Sequence, residues 1–154
     1  MKFLTSAVAI LVATTLATSG QVLAQTSKKA DRSAAEAMVK KGVEAFKSSG
    51  WEAFIQMTAP SKAFVDRDLY LDVYDLNGKC KAHGQNFKQV GKRSLNLKDS
   101  DGKLYIKERV ELAKESKVFW QEYKSTSSLT NLVQDKQAYC ELVDQIIICG
   151  SVQK

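Results

Sequence analysis

The chain has 154 residues, 23 Lys and Arg against 17 Asp and Glu, a net charge of +6, three cysteines and one proline. That length suits one domain with one core. The basic excess is spread out as pairs (Lys28-Lys29, Lys40-Lys41, Lys92-Arg93) with no dense run interleaved with aromatics; this argues against a nucleic-acid partner, while a mildly basic surface slightly favours small anions.

Residues 1 to 24 read as a secretory signal peptide. Lys2 is the positive region, Phe3 to Leu16 the short apolar region, and Val22-Leu23-Ala24 places small residues for cleavage after Ala24. The apolar run is diluted by Thr and Ser, and it is short for a bilayer span, which needs roughly 20 apolar residues. The expectation is an exported chain, periplasmic or secreted, of 130 residues after removal of 24, with no membrane span in the mature part. Residues 25–32 form a polar leader and residues 33–154 the domain.

A helix is predicted from Ser33, where Ser33-Ala34-Ala35-Glu36 has capping-box spacing. Ala35, Met38, Val39, Val43 and Phe46 share one face, and Gly50 is placed to end the helix. A short second helix, Trp51 to Met57, is expected to turn Trp51, Phe54 and Ile55 to the core, and Pro60 stops it.

Phe64 to Gly84 organises the rest. Leu69, Leu71 and Val73 alternate with Asp68, Tyr70, Asp72 and Tyr74, the period of a strand with two unlike faces. Leu76-Asn77-Gly78 supplies a tight turn, and Cys80 to His83 returns as a second strand. From Gly84 to Lys117 runs an excursion with Gly91, a turn at Asp99-Ser100-Asp101-Gly102, and an amphipathic helix whose apolar set is Leu104, Tyr105, Val110, Leu112 and Ala113. Val118 to Lys124 is a third strand, Ser125 to Asn131 a polar connection, and Gln134 to Val143 and Ile146 to Gln153 the last two strands. The β-branched run Ile146-Ile147-Ile148 suits a central strand.

Those two strands form a hairpin around Asp144-Gln145. Its register sets Cys140 opposite Cys149 as a non-hydrogen-bonded pair, where side chains come closest. Export permits a disulfide there. The competing reading is that both are small buried residues. No CxxC or CxxCH occurs, so zinc ribbons, thioredoxin-type redox and haem attachment are unsupported. Asp99-Ser100-Asp101-Gly102 fails as an EF-hand loop because its glycine comes fourth rather than sixth. No phosphate loop or nucleophile elbow is present, so no cofactor, metal site or catalytic residue is expected and the chain is read as a non-enzyme.

The order and spacing of a set of short matches then resemble a single Cache domain, a PAS-like extracytoplasmic sensory module. They are Ala37-Met38-Val39, Phe64 with Asp66-Arg67-Asp68-Leu69-Tyr70, Val73-Tyr74-Asp75 with Asn77-Gly78, Ala82-His83-Gly84-Gln85-Asn86 and Val90-Gly91-Lys92. Leu97-Lys98-Asp99 with Asp101-Gly102-Lys103, Trp120 with Tyr123, Lys136 with Tyr139, and Cys149-Gly150 complete them. The resemblance implies an α+β fold: a five-stranded antiparallel sheet, the long N-terminal helix on one face, and the helical and loop excursion over the other, enclosing a small pocket. It implies a small organic ligand, often a short carboxylate. With no membrane span expected in the mature part, a membrane receptor or kinase is the expected partner, to which occupancy is handed on. Two departures touch the pocket: Phe119 stands where the family usually has glycine, and Asp72 replaces an apolar residue.

Tyr70, His83, Trp120, Tyr123, Lys136 and Tyr139 are the candidate ligand-binding residues. Tyrosines give aromatic surface with polar tips, His83 is placed to donate to a carboxylate or respond to pH, and Lys136, with Arg67, to neutralise an anion. For Tyr74 and Trp120 cross-strand packing is the weightier reading. The alternative function is a protein–protein interaction module of the cell envelope whose pocket is filled by Phe119.

Overall fold

The structure is a computed structural model and describes residues 29–126 and 131–154; the expected signal peptide and the middle of the Ser125–Asn131 connection lie outside the described residues. Helix α1 spans Arg32–Ser49. Its N-cap is Asp31, whose carboxylate accepts from the Ala34 N–H at 3.0 Å, so the helix starts ahead of the Ser33 capping box expected from spacing. Gly50 ends it at a φ of 58°, a conformation glycine adopts without strain. Ala35, Val39, Gly42 and Val43 are buried along one face. Gly42 lets the helix sit close: a Cβ there would lie 2.7 Å from Leu71 Cδ1.

Helix α2, Glu52–Met57, departs from expectation. Ala53 and Met57 go inward, while Trp51 and Ile55 are 69% and 64% exposed. Phe54 is half-buried and stacks on Phe46, ring centroids 5.2 Å apart. Six residues present either face equally well by period; the gap under α1 at Gly42 takes Met57, and this decides the rotation.

The strands are β1 (Val65–Asp66), β2 (Leu69–Asp75), β3 (Cys80–His83), β4 (Val118–Thr126), β5 (Val133–Val143) and β6 (Ile146–Gln153). They form one antiparallel sheet in the order β1-β2-β6-β5-β4, with β3 also paired to β2. Thus the β-branched β6 is central, as its composition predicts. The short β1 is an addition: Arg67, at a φ of 58°, turns it back onto β2. At Asp144 and Gln145, φ values of 44° and 65° make the tight turn that sets Cys140 opposite Cys149. Their sulfurs are bonded, with Cα atoms 4.2 Å apart. Cys80 is a free, buried thiol.

Alternation assigns the two faces. Leu69, Leu71, Val73, Tyr139, Ile148 and Val152 pack with α1 in the main core. The opposite face is covered by helix α3, Tyr105–Glu115. Phe119, Ala138, Ile147 and the disulfide pack there against Val110 and Ala113. Strand β2 is therefore buried on both sides, Asp72 and Tyr74 included, its two unlike faces meeting α1 and α3. Among the described residues, no helix is long and apolar enough to cross a membrane.

Candidate functional site

The side of α3 that meets the sheet carries Ile106, Arg109, Val110 and Ala113, all buried. This is the i, i+3, i+4, i+7 stripe of a core-facing helix, with an arginine in it. Arg109 is fully buried, and its Nη1 donates to Asp72 Oδ2 at 2.7 Å. Its Nε donates to Gln121 Oε1 at 2.9 Å. Gln121 in turn donates to the Glu108 carboxylate at 2.6 Å and to the Tyr105 carbonyl at 2.7 Å. Three rings surround the guanidinium, with the centroids of Tyr74, Tyr105 and Tyr123 at 5.8, 5.9 and 5.6 Å. Tyr105 and Tyr123 stack at 4.9 Å, and the Tyr123 hydroxyl bonds to Ser151 Oγ at 3.0 Å.

Burial works against the charge on Arg109, but the Asp72 carboxylate beside it more than offsets this, and the guanidinium is held above its ordinary pKa. Burial, reinforced by the same carboxylate, raises Tyr123 above the usual phenol range. Burial likewise raises Tyr70, and pushes Tyr105 up to about 12. The tyrosines are thus neutral hydroxyls at physiological pH, able to donate or accept. Two atoms of the ion pair, Asp72 Oδ1 and Arg109 Nη2, are buried without a hydrogen-bond partner.

Four of the six candidate residues share this face. Tyr70 stacks on His83 at 5.3 Å, His83 lies opposite Asp72 in the β2–β3 ladder, and Tyr123 lies opposite Lys136 in β4–β5. Lys136 is half-buried, and desolvation lowers its pKa. Tyr123 and Lys136 also line a surface cleft of about 370 Å³ with Lys103, Lys124 and Asp99. Trp120 and Tyr139 are not brought together with the others. They lie on the α1 face, rings 5.3 Å apart, with the Arg32 guanidinium 3.7 Å above Trp120. The reason is strand geometry: Trp120 and Tyr123 are three residues apart, as are Lys136 and Tyr139, so each pair points to opposite faces. Arg67 is outside the cluster, paired with Asp66 at 2.6 Å. Arg109, Asp72 and Gln121 form the centre of the buried polar cluster, and none of the three is a residue that the sequence pattern singles out for binding. A charged residue within the apolar stripe of one element and another within a buried strand are the signals that point to them.

His83 has a defined tautomer. Its Nδ1 accepts from the backbone N–H groups of Asn86 at 3.1 Å and Gln85 at 3.3 Å, which leaves the proton on Nε2. Burial lowers its pKa. The unfolded chain, with an ordinary pKa of about 6.5, then takes up a proton before the native state does. Stability is therefore full above about pH 6.5 and falls as pH drops toward the native pKa. A series of urea titrations from pH 8 to pH 5 is expected to show this fall, and His83→Gln to flatten it.

A PAS-like antiparallel sheet with a long helix on one face and a helical excursion over the other is the architecture of a Cache domain. The chain belongs to the single Cache domain 2 family, whose model matches residues 5–152. No curated protein matches it. Among solved structures, a methyl-accepting chemotaxis protein from Vibrio parahaemolyticus RIMD 2210633 is similar in fold at 19% identity, covering 77% of this chain and 85% of that one, with a TM-score of 0.64. A Cache chemosensory domain described for carboxylic acid recognition is similar at 18% identity, over 79% and 86% of the two chains, TM-score 0.62. The periplasmic sensor domain of a chemotaxis protein follows at 16% identity, over 79% and 88%, TM-score 0.61. Cache domains are extracytoplasmic sensory modules, not catalytic ones.

Proposed function

We propose that this protein is an exported, periplasmic or secreted sensor-like domain that captures a small organic anion, such as a short carboxylate, between α3 and the sheet, and passes occupancy to a membrane receptor or kinase. The observation that carries this reading is the buried guanidinium of Arg109, with Nη2 unpartnered, among Tyr74, Tyr105 and Tyr123. Its charge is already met by Asp72 at 2.7 Å, so what it offers a carboxylate is an unfilled N–H among neutral hydroxyls in a dry site. Tyr70, His83 with its Nε2 proton, and Lys136 lie on the same face. The likeness in fold to a domain described for carboxylic acid recognition supports the same class.

The test is a thermal-shift screen of the purified protein against short carboxylates, amino acids, amines and purines. A ligand at 100 times its dissociation constant stabilises by about 2.7 kcal/mol, on the order of 10 °C for a domain of this size. Such a shift from a carboxylate, lost in Arg109→Gln, is the expected result. A flat screen on folded protein would end the small-ligand reading.

The second reading, an envelope interaction module, is favoured by one observation. Trp51, Ile55 and Val90 are exposed and line an apolar cleft of about 550 Å³ with Phe54 and Pro60. Phe119, which this reading makes the pocket filler, packs on α3 beside the disulfide. A flat screen together with loss of partner capture in Trp51→Ser/Ile55→Ser would select it.

A further inference from the structure

Resting on the reading above, we infer that the ligand carries a hydrogen-bond donor on the carbon next to its carboxylate, and that this chain selects a 2-hydroxy acid over the unsubstituted acid. Among the described residues, the buried side-chain atoms without a partner are Asp72 Oδ1, Arg109 Nη2 and Ser94 Oγ. The first two belong to one ion pair. Its closed contact, Nη1 to Oδ2 at 2.7 Å, uses one atom of each group, and the open atoms are the remaining oxygen and the remaining nitrogen. Each is joined to the bonded atom of its own group through a single carbon, so the two unpartnered atoms belong to adjacent ends of one ion pair, and the proposal is that one small molecule meets both. Oδ1 can only accept and Nη2 can only donate.

A buried polar atom left unpaired is costly, so the best ligand satisfies both. A simple carboxylate satisfies Nη2 but leaves Oδ1 open and sets its own negative charge beside Asp72. A 2-hydroxy acid offers a carboxylate oxygen to Nη2 and a hydroxyl proton to Oδ1. A 2-ammonium group brings three donors and a charge to desolvate against one open acceptor. Asp72 already neutralises Arg109, so net charge gives little selection here and the hydrogen-bond pattern gives most of it. The same residue is the departure from an apolar position noted in the sequence, which makes this selectivity a property of this chain.

The experiment is calorimetric titration of the purified protein with matched acids: acetate against glycolate, propionate against each lactate enantiomer, and L-alanine. Glycolate and one lactate enantiomer are expected to bind at least tenfold tighter than their unsubstituted partners and than alanine. In Asp72→Asn the amide oxygen is held by Arg109 and its NH2 faces the ligand, so the preference is expected to shrink below threefold. Equal affinity for acids with and without the hydroxyl, or tightest binding of alanine, overturns the inference and leaves the proposed function standing. No binding of any acid by the folded protein overturns both. The wild-type ratios decide the question even where the variant does not fold.

Discussion

Arg109→Leu is expected to lower the unfolding free energy by about 3–5 kcal/mol, because it leaves the Asp72 carboxylate buried with no counter-charge. Arg109 is fully buried, and Asp72 is only 7% exposed, so little solvent is available to compensate. In a domain of this size the loss corresponds to a melting temperature lower by on the order of 10 °C or more. The double variant Asp72→Leu/Arg109→Met replaces both charges by apolar groups of similar bulk, and such replacements of buried pairs are often neutral. It is expected to regain most of the lost stability while losing any response to carboxylates. That combination separates the two things the pair does: it holds α3 on the sheet, and it presents open polar atoms. Thermal melts of the single and double variants, with and without added acid, check both. An unchanged melting temperature in Arg109→Leu would mean that the guanidinium is not buried against Asp72.

Removing the disulfide is the second large effect. Cys140 and Cys149 are 9 residues apart across the β5–β6 turn, and closing a loop of that length is worth about 2–3 kcal/mol in the chain-entropy description. Cys140→Ala/Cys149→Ala is expected to lose that much in urea denaturation. Adding reductant should lower the midpoint of the natural chain and leave the variant unchanged. Cys80→Ala removes a buried thiol with no sulfur partner, so reductant should still lower its midpoint. Thiol counting in denaturant gives a direct check: one reactive thiol without reductant and three with it. Three thiols without reductant from protein prepared under oxidising conditions would contradict the pairing. The bond also bears on the site, because Phe119, Val110 and Ala113 pack on it beneath α3.

The chain was most legible where a local rule and a tertiary demand agree. Asp144-Gln145 between two β-rich segments fixes a turn, the turn fixes a register, and the register sets Cys140 opposite Cys149. The central place of β6 and the inward face of α1 follow from β-branching and from the 3.6-residue period in the same way. Reading failed where two local rules tie or where a rule is broken on purpose. In α2, Trp51-Phe54-Ile55 and Ala53-Met57 are both helical stripes, and only the space below Gly42 chooses between them. At the site, the parity of aromatic residues along β4 and β5 sets Trp120 and Tyr139 on the face opposite Tyr123 and Lys136, so residue type without parity groups side chains that point opposite ways. Arg109 escaped because a charged residue in an amphipathic helix is usually assigned to its wet face. Its position, three after Ile106 and four before Ala113, puts it in the dry one, and Asp72 in a buried strand is the matching exception. Buried charges of opposite sign in two elements that pack together are best read as a pair.

The most direct test of the central claim, that ligand binds at the Asp72–Arg109 pair under α3, is an amide and guanidinium NMR titration of the natural chain with a pool of acetate, propionate, glycolate and lactate. Shifts are expected to concentrate at Asp72, His83, Gln121, Tyr123 and the Arg109 Nε–H, with the α1 face around Trp120 and Tyr139 silent. Shifts confined to the Trp51–Val90 cleft, or none at saturating acid, would contradict it.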